Sequence, residues 1–134
     1  FGEEKVAGVV AANDGTGGGT IAAFKSAGGK VPPVSGNDAT VAGLQLIISG
    51  EQYNTISKPS EIVGGASAQA AVDLLSGKAP ESTGDVFGSP TKLFTPTLIT
   101  QDNLKAEIVD KNITPASELC TSEYAAACKK LGIA

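Results

Sequence analysis

Histidine, arginine, tryptophan and methionine are all missing from the 134 residues of this chain. Without histidine it has no imidazole to act as general base or metal ligand. Without arginine it has no planar fork for bidentate capture of phosphate or of guanine. Its net charge of -4 repels a polyanion, which argues against a nucleic-acid partner. Aromatic side chains are few: Phe1, Phe24, Tyr53, Phe87, Phe94 and Tyr124 make up the whole set, and none stands at an obvious cleft position. No apolar run approaches the roughly 20 residues that cross a bilayer, and the N-terminus shows neither the basic start nor the apolar stretch of a signal peptide. The chain opens at Phe1 without an initiator methionine and soon enters an apolar run, so we expect that an upstream portion has been removed.

Glycine and small residues are plentiful instead, with 17 glycines and 41% hydrophobic residues against 18% charged. This describes one folded domain with tight, small-residue packing. The apolar run at 5–13 reads as a buried strand ending in Asn13 and Asp14. A glycine-rich turn follows, then a helix at about 20–27 closing on Gly28 and Gly29. KVPPVSG is the next strand, with Pro32 and Pro33 favouring an edge or irregular position. The helix at 39–49 carries Val41, Leu44 and Ile47 or Ile48 on one face and stops at Gly50. EQYNTISK holds β-formers, and Pro59 and Ser60 start a helix over 61–76 with Ile62, Ala66, Ala70 and Leu74 along a stripe. Residues 78–90 read as a loop, 92–100 as an extended segment, and 101–112 as a short helix before the cysteine tail. This alternation predicts an α/β fold with a mainly parallel sheet flanked by helices.

Cys120 and Cys128 lie eight residues apart. A continuous helix would separate them by about 12 Å, beyond the reach of a disulfide. Pairing therefore requires Cys120 to precede the last helix and fold back, with Thr121 or Ser122 as its N-cap. Both a staple formed in an oxidising compartment and two free thiols fit the spacing.

The glycine-rich loop GTGGGT at 15–20 invites a phosphate-binding reading. It meets the dinucleotide pattern only in its looser form, and it lacks the lysine that a Walker loop places after its last glycine. A tight strand-to-helix turn accounts for it better. The informative positions are polar residues at the ends of three successive apolar runs: Asn13 in AANDG, Asp38 in VSGNDAT and Lys58 in ISKPS. An α/β sheet presents ligand-binding groups at such ends. Asparagine both donates and accepts, which suits a hydroxyl. Each residue also has a plain structural use. Asp14 would cap the first helix better than Asn13, and Asp38 or Asn37 would cap the second while the other faces a cleft. Lys58 by itself reads as a surface lysine. Together with the missing residue types, the set favours a neutral polyhydroxylated ligand.

AND followed by a glycine turn, SGNDA, ISGEQYNTISK and KLFTPTLIT together make the chain, over about residues 6–119, resemble the C-terminal half of bacterial periplasmic aldose-binding proteins. The match is to the xylose-binding and multiple-sugar-binding branch of the type I family. The resemblance implies an extracytoplasmic receptor, with no catalytic residues, metal or cofactor. It closes two α/β lobes around a monosaccharide such as xylose, glucose, galactose or arabinose and delivers it to the permease of an ABC importer. It also implies that Asn13, Asp38 and Lys58 contact sugar hydroxyls, with Asp14 and Asn37 as secondary candidates. Asn37 stands where relatives carry glutamine. On this reading residues 1–56 build C-terminal-lobe βα units, 57–85 cross the hinge and pack on the other lobe, 86–100 return, and 101–134 form the tail. The N-terminal portion, as a separate chain or a removed fragment, would supply the rest of the pocket and cover the stripe on the helix at 61–76. Two other classes remain open: the sugar-effector domain of a transcription repressor, which fits poorly with a disulfide, and a Rossmann-like nucleotide-binding domain.

Overall fold

A computed structural model describes residues 5–133, so Phe1 lies outside the described residues. The chain divides into two compact units, Phe1–Ser57 with Thr97–Ala134, and Lys58–Pro96.

In the first unit the run at 5–13 lies beside the run around Val34. Val9 and Val34 form a parallel bridge, with the Val9 N–H donating to the Pro33 carbonyl and the Ser35 N–H to the Val9 carbonyl. The Tyr53 N–H then donates to the Val34 carbonyl. Parallel pairing among the described residues is confined to that bridge, and the regular ladders are antiparallel. Pro32 and Pro33 have no N–H to give, and the Ala11 N–H goes to the Ser35 hydroxyl rather than to a backbone carbonyl. β1 (Thr55–Ser57) pairs antiparallel with β4 (Thr97–Ile99), so the chain returns to this unit directly beside the strand on which it left.

Helix α1 spans Asp14–Ser26, which corrects the expected start near residue 20: the glycine-rich stretch is its first turns. Two causes outweigh the helix-breaking tendency of glycine, which costs about 1 kcal/mol per residue. Asn13 and Thr16 form a capping box. Small residues also let the helix press against its neighbours, since a Cβ on Gly17 would sit 3.1 Å from the Ser35 carbonyl oxygen. Helix α2 (Val41–Ser49) starts later than expected. Thr40, rather than Asp38 or Asn37, is its N-cap and accepts from the Gly43 N–H, and Gly50 ends it at φ 81°.

α2 points Leu44, Ile47 and Ile48 into a core completed by Ile99, Leu104, Ile108, Leu119, Cys128 and Ile133. The C-terminal tail is therefore part of this unit's interior. Residues Lys105–Val109 form a π-helical turn that carries Ile108 inward. α4 (Ala116–Leu119) ends at Cys120, and α5 (Ala125–Lys130) carries Cys128. The two cysteines form a disulfide with Cα atoms 5.9 Å apart. Tyr124 takes the cap position of α5 in place of Thr121 or Ser122, its N–H donating to the Thr121 carbonyl. Burial, with Glu123 and Glu51 adding to it, raises the Tyr124 phenol above its ordinary value of 10.

The second unit consists of α3 (Ser60–Leu75) and a hairpin of β2 (Gly84–Val86) and β3 (Ser89–Thr91). The hairpin corrects the loop expected over 78–90. Phe87 and Gly88 make its two-residue turn at φ 53° and 78°, the left-handed geometry that matches strand twist, and the Gly88 N–H donates to Asp85 Oδ1. No residue of α3 is buried among the described residues, and Ile62, Val63, Val72, Leu74 and Leu75 are all exposed.

Candidate functional site

Asn13 and the loop at 36–40 meet at one end of the first unit. The Asp14 N–H donates to the Asn37 carbonyl at 2.9 Å, tying the start of α1 to that loop. At the helix start, Asn13 Oδ1 accepts from the Thr16 N–H and the Thr16 hydroxyl, each at 2.9 Å. The Thr16 hydroxyl, with one proton to give, also lies 3.0 Å from the Asn13 backbone carbonyl oxygen, so Oδ1 is committed chiefly to the cap, and the Nδ2 donors of this half-buried residue take no part in it. Asn13, not Asp14, is the cap. An N-cap needs an extended backbone and an oxygen turned back on the helix, and Asn13 has both, at φ -157° and ψ 175°.

Asp14 is 3% exposed. Its Oδ1 accepts from Gln52 Nε2 at 2.8 Å and from the Thr55 hydroxyl at 2.7 Å. Its Oδ2 accepts from the Thr40 N–H at 2.8 Å and the Thr40 hydroxyl at 3.0 Å. The Asp14 carboxylate thus holds four donors and is almost wholly withdrawn from solvent. Gln52 is held in one orientation because its Nε2 serves both Asp14 and the Asn54 carbonyl, which leaves its own Oε1 without a partner.

Asp38 is exposed on the loop that this network holds. Its backbone lies at φ 98° and that of Ala39 at φ 48°, both in the left-handed region that residues with side chains rarely occupy. Such strain costs on the order of 1–3 kcal/mol per residue and persists only where the surroundings enforce it. Three successive N–H groups are pinned here. That of Asp38 donates to the Ile56 carbonyl, that of Ala39 to the Thr55 hydroxyl, and that of Thr40 to Asp14. Asn37 is half-buried beside them.

Lys58 belongs to the second unit. It is exposed, precedes Pro59 and α3, and lines a cavity of about 320 Å³ with Ile62, Val63, Leu93, Phe94 and Pro96 among its walls. Lys92 sits 5.7 Å from the centre of the Phe94 ring in the same unit. Among the described residues no group of three or more histidine, cysteine, aspartate or glutamate side chains is placed to hold a metal ion, and no helix is long and apolar enough to cross a membrane.

Sequence reasoning missed Gln52 and Thr55. Both stand in a segment rich in β-formers, and nothing in the order of residues says that their polar ends turn inward. One signal was available: glycine at 36 and 43. A Cβ on either would lie 2.2 Å from an Asp14 carboxylate oxygen.

A capped helix start is thus joined to a strained polar loop at the ends of adjacent extended runs, the part of an α/β fold at which ligand-binding groups are commonly presented. The chain belongs to the periplasmic binding protein domain family, whose model matches residues 1–79. Over 121 residues, 86% of the chain, it is 35% identical to the D-xylose-binding periplasmic protein of Escherichia coli. It is 28% identical to the multiple sugar-binding periplasmic receptor ChvE of Rhizobium radiobacter over 72% of the chain. A carbohydrate transporter solute binding protein from Chloroflexus aurantiacus, solved in complex with D-glucose, superposes on 83% of the chain with a TM-score of 0.76 and 30% identity. A solute binding protein from Clostridium phytofermentans shares the fold at TM-score 0.78 and 21% identity, over 88% of the chain. The chain spans about a third of the length of these proteins: 36%, 29%, 34% and 39% respectively.

Proposed function

We propose that the chain is part of an extracytoplasmic receptor that binds a monosaccharide and delivers it to the permease of an ABC importer, and that it performs no catalysis. The observation that carries this reading is the join between the start of α1 and the 36–40 loop, which sets the Asn13 amide beside a loop that presents Asp38. Amide donors and a carboxylate acceptor together match the donor and acceptor capacity of vicinal hydroxyls. The names of the relatives, D-xylose-binding and multiple sugar-binding, support an aldose as the ligand class. The disulfide is in keeping with an oxidising compartment, and it weighs against the intracellular repressor domain.

In this reading Asn13 donates to a ring or hydroxyl oxygen and Asp38 accepts from hydroxyls, with Asn37 a secondary contact; Lys58 is a further candidate donor to the sugar. Residues 57–85 and 86–100 are the outward and return crossings of a two-lobed receptor. The apolar surface of α3 would then be covered by the portion of the receptor that lies outside this chain. Sugar would favour the closed receptor only through its higher affinity for that state. Hydrogen bonds to a charged group contribute about 1.5–3 kcal/mol, so Asp38→Ala is expected to weaken aldose binding by roughly tenfold or more in isothermal titration. Wild-type affinity in that variant would remove Asp38 from the site.

A further inference from the structure

We infer that Asp14 is a positioning residue for sugar recognition: a buried carboxylate that fixes the backbone of residues 37–40 and so the aim of Asp38, without touching the ligand. The inference rests on the receptor reading above for its functional half and on geometry for the rest.

Every link between Asp14 and the loop is a hydrogen bond. The Asp14 N–H holds the Asn37 carbonyl, and Oδ2 holds the Thr40 N–H and hydroxyl. Oδ1 holds the Thr55 hydroxyl, whose oxygen in turn accepts the Ala39 N–H at 3.1 Å. Asp14 therefore grips the loop at 37 and 40 directly and at 39 through Thr55. The two residues between the direct grips are the pair at φ 98° and 48°. Left to itself, a non-glycine backbone relaxes out of that region. The loop keeps its shape because the carboxylate offers several acceptor lone pairs in a place sealed from water, where hydrogen bonds are strong and loss of one leaves an unpaired buried donor. Gly36 and Gly43 leave room for the carboxylate, and Gln52 braces its far oxygen.

Asparagine at this position keeps the shape but turns one acceptor into a donor. Whichever way its amide faces, an –NH2 group opposes either the Thr40 N–H or Gln52 Nε2. A residue that merely staples the fold would change binding only as far as it changes stability, so the test pairs Asp14→Asn with Leu119→Ala, a core truncation in the same unit. Urea is used to compare the two at equal stability. Thr55→Val, which removes only the indirect grip, serves as the milder second variant if Asp14→Asn does not fold.

In the full chain, hydrogen exchange of the Ala39 and Thr40 amides is measured against that of Ile99, and the affinities for D-xylose and D-glucose by titration. Asp14→Asn is expected to speed exchange at Thr40 and weaken aldose binding by roughly tenfold each, the size of one charge-assisted hydrogen bond, while Leu119→Ala at matched stability changes both by less than about twofold. Thr55→Val is expected to act in the same direction at Ala39. Unchanged exchange at 39 and 40 relative to Ile99, or an equal loss of affinity in Leu119→Ala, overturns the inference. Failure of the unmodified chain to bind any aldose even when the rest of the receptor is supplied would instead refute the receptor reading, and the exchange comparison would still decide whether Asp14 sets the loop.

Discussion

Asn13 has two separable tasks, and one pair of substitutions tells them apart. Its Oδ1 caps α1 by accepting from Thr16, and its Nδ2 is the part offered to a ligand. Asn13→Asp keeps an oxygen for the cap and adds a negative charge at a helix N-terminus, where the dipole favours it by about 0.3–1 kcal/mol. Stability in urea unfolding should stay within a few tenths of a kcal/mol of wild type or rise slightly. The variant has no N–H to give, so a neutral hydrogen bond of about 1 kcal/mol to the sugar is lost, roughly fivefold in Kd. Asn13→Ala loses both functions: about 1 kcal/mol of stability from the missing cap, and a similar loss of affinity. Circular dichroism with urea gives the first quantity and calorimetric titration with D-xylose or D-glucose the second. Full affinity in Asn13→Asp would show that the Nδ2 donor is not used, and a stability loss equal to that of the alanine variant would refute the capping role.

Two further outcomes follow from packing. A Cβ on Gly19 meets nothing within 4 Å, whereas one on Gly17 lies 3.1 Å from the Ser35 carbonyl oxygen. Gly19→Ala should therefore stabilise the chain by about 0.5–1 kcal/mol, and Gly17→Ala should destabilise it, with urea midpoints moving in opposite directions. The disulfide closes a loop of eight residues' separation inside the core of the first unit. Replacing both cysteines by serine should cost about 2–3 kcal/mol from loop-closure entropy alone, read as a lower urea midpoint in the variant than in the oxidised parent. Equal midpoints would mean that the bridge constrains nothing in the unfolded chain.

What was legible in the sequence was local. The apolar face of α2 with its stop at Gly50 and the start of α3 just after Pro59 both follow from spacing and breakers. The errors share a different cause. The glycines at 15–19 predicted a turn because intrinsic propensity disfavours them in a helix. The capping box and the close approach to Ser35 reverse that preference, and the second of these is a contact between segments far apart in sequence. Aspartate caps helices well, so local sequence favours Asp14 as the cap. Its actual role depends on Thr40, Gln52 and Thr55, which lie 26 to 41 residues away. The hairpin at 84–91 was hidden because Phe-Gly, rather than Asn-Gly or Asp-Gly, fills its turn. Residues 101–133 gave no sign that they complete the core of the first unit, since Leu104, Ile108 and Leu119 are spaced irregularly across a π-turn and a short helix.

The central claim is that the start of α1 and the 37–40 loop form sugar-contacting surface. Titration of the isotopically labelled chain with D-xylose and D-glucose, followed by amide chemical shifts up to the solubility limit of the sugar, tests it most directly. Saturable shifts are expected at Asn13, Asn37, Asp38 and Lys58, with the core amides of Ile47 and Leu119 unmoved. Saturable shifts clustered elsewhere, or none with any aldose, would contradict that claim.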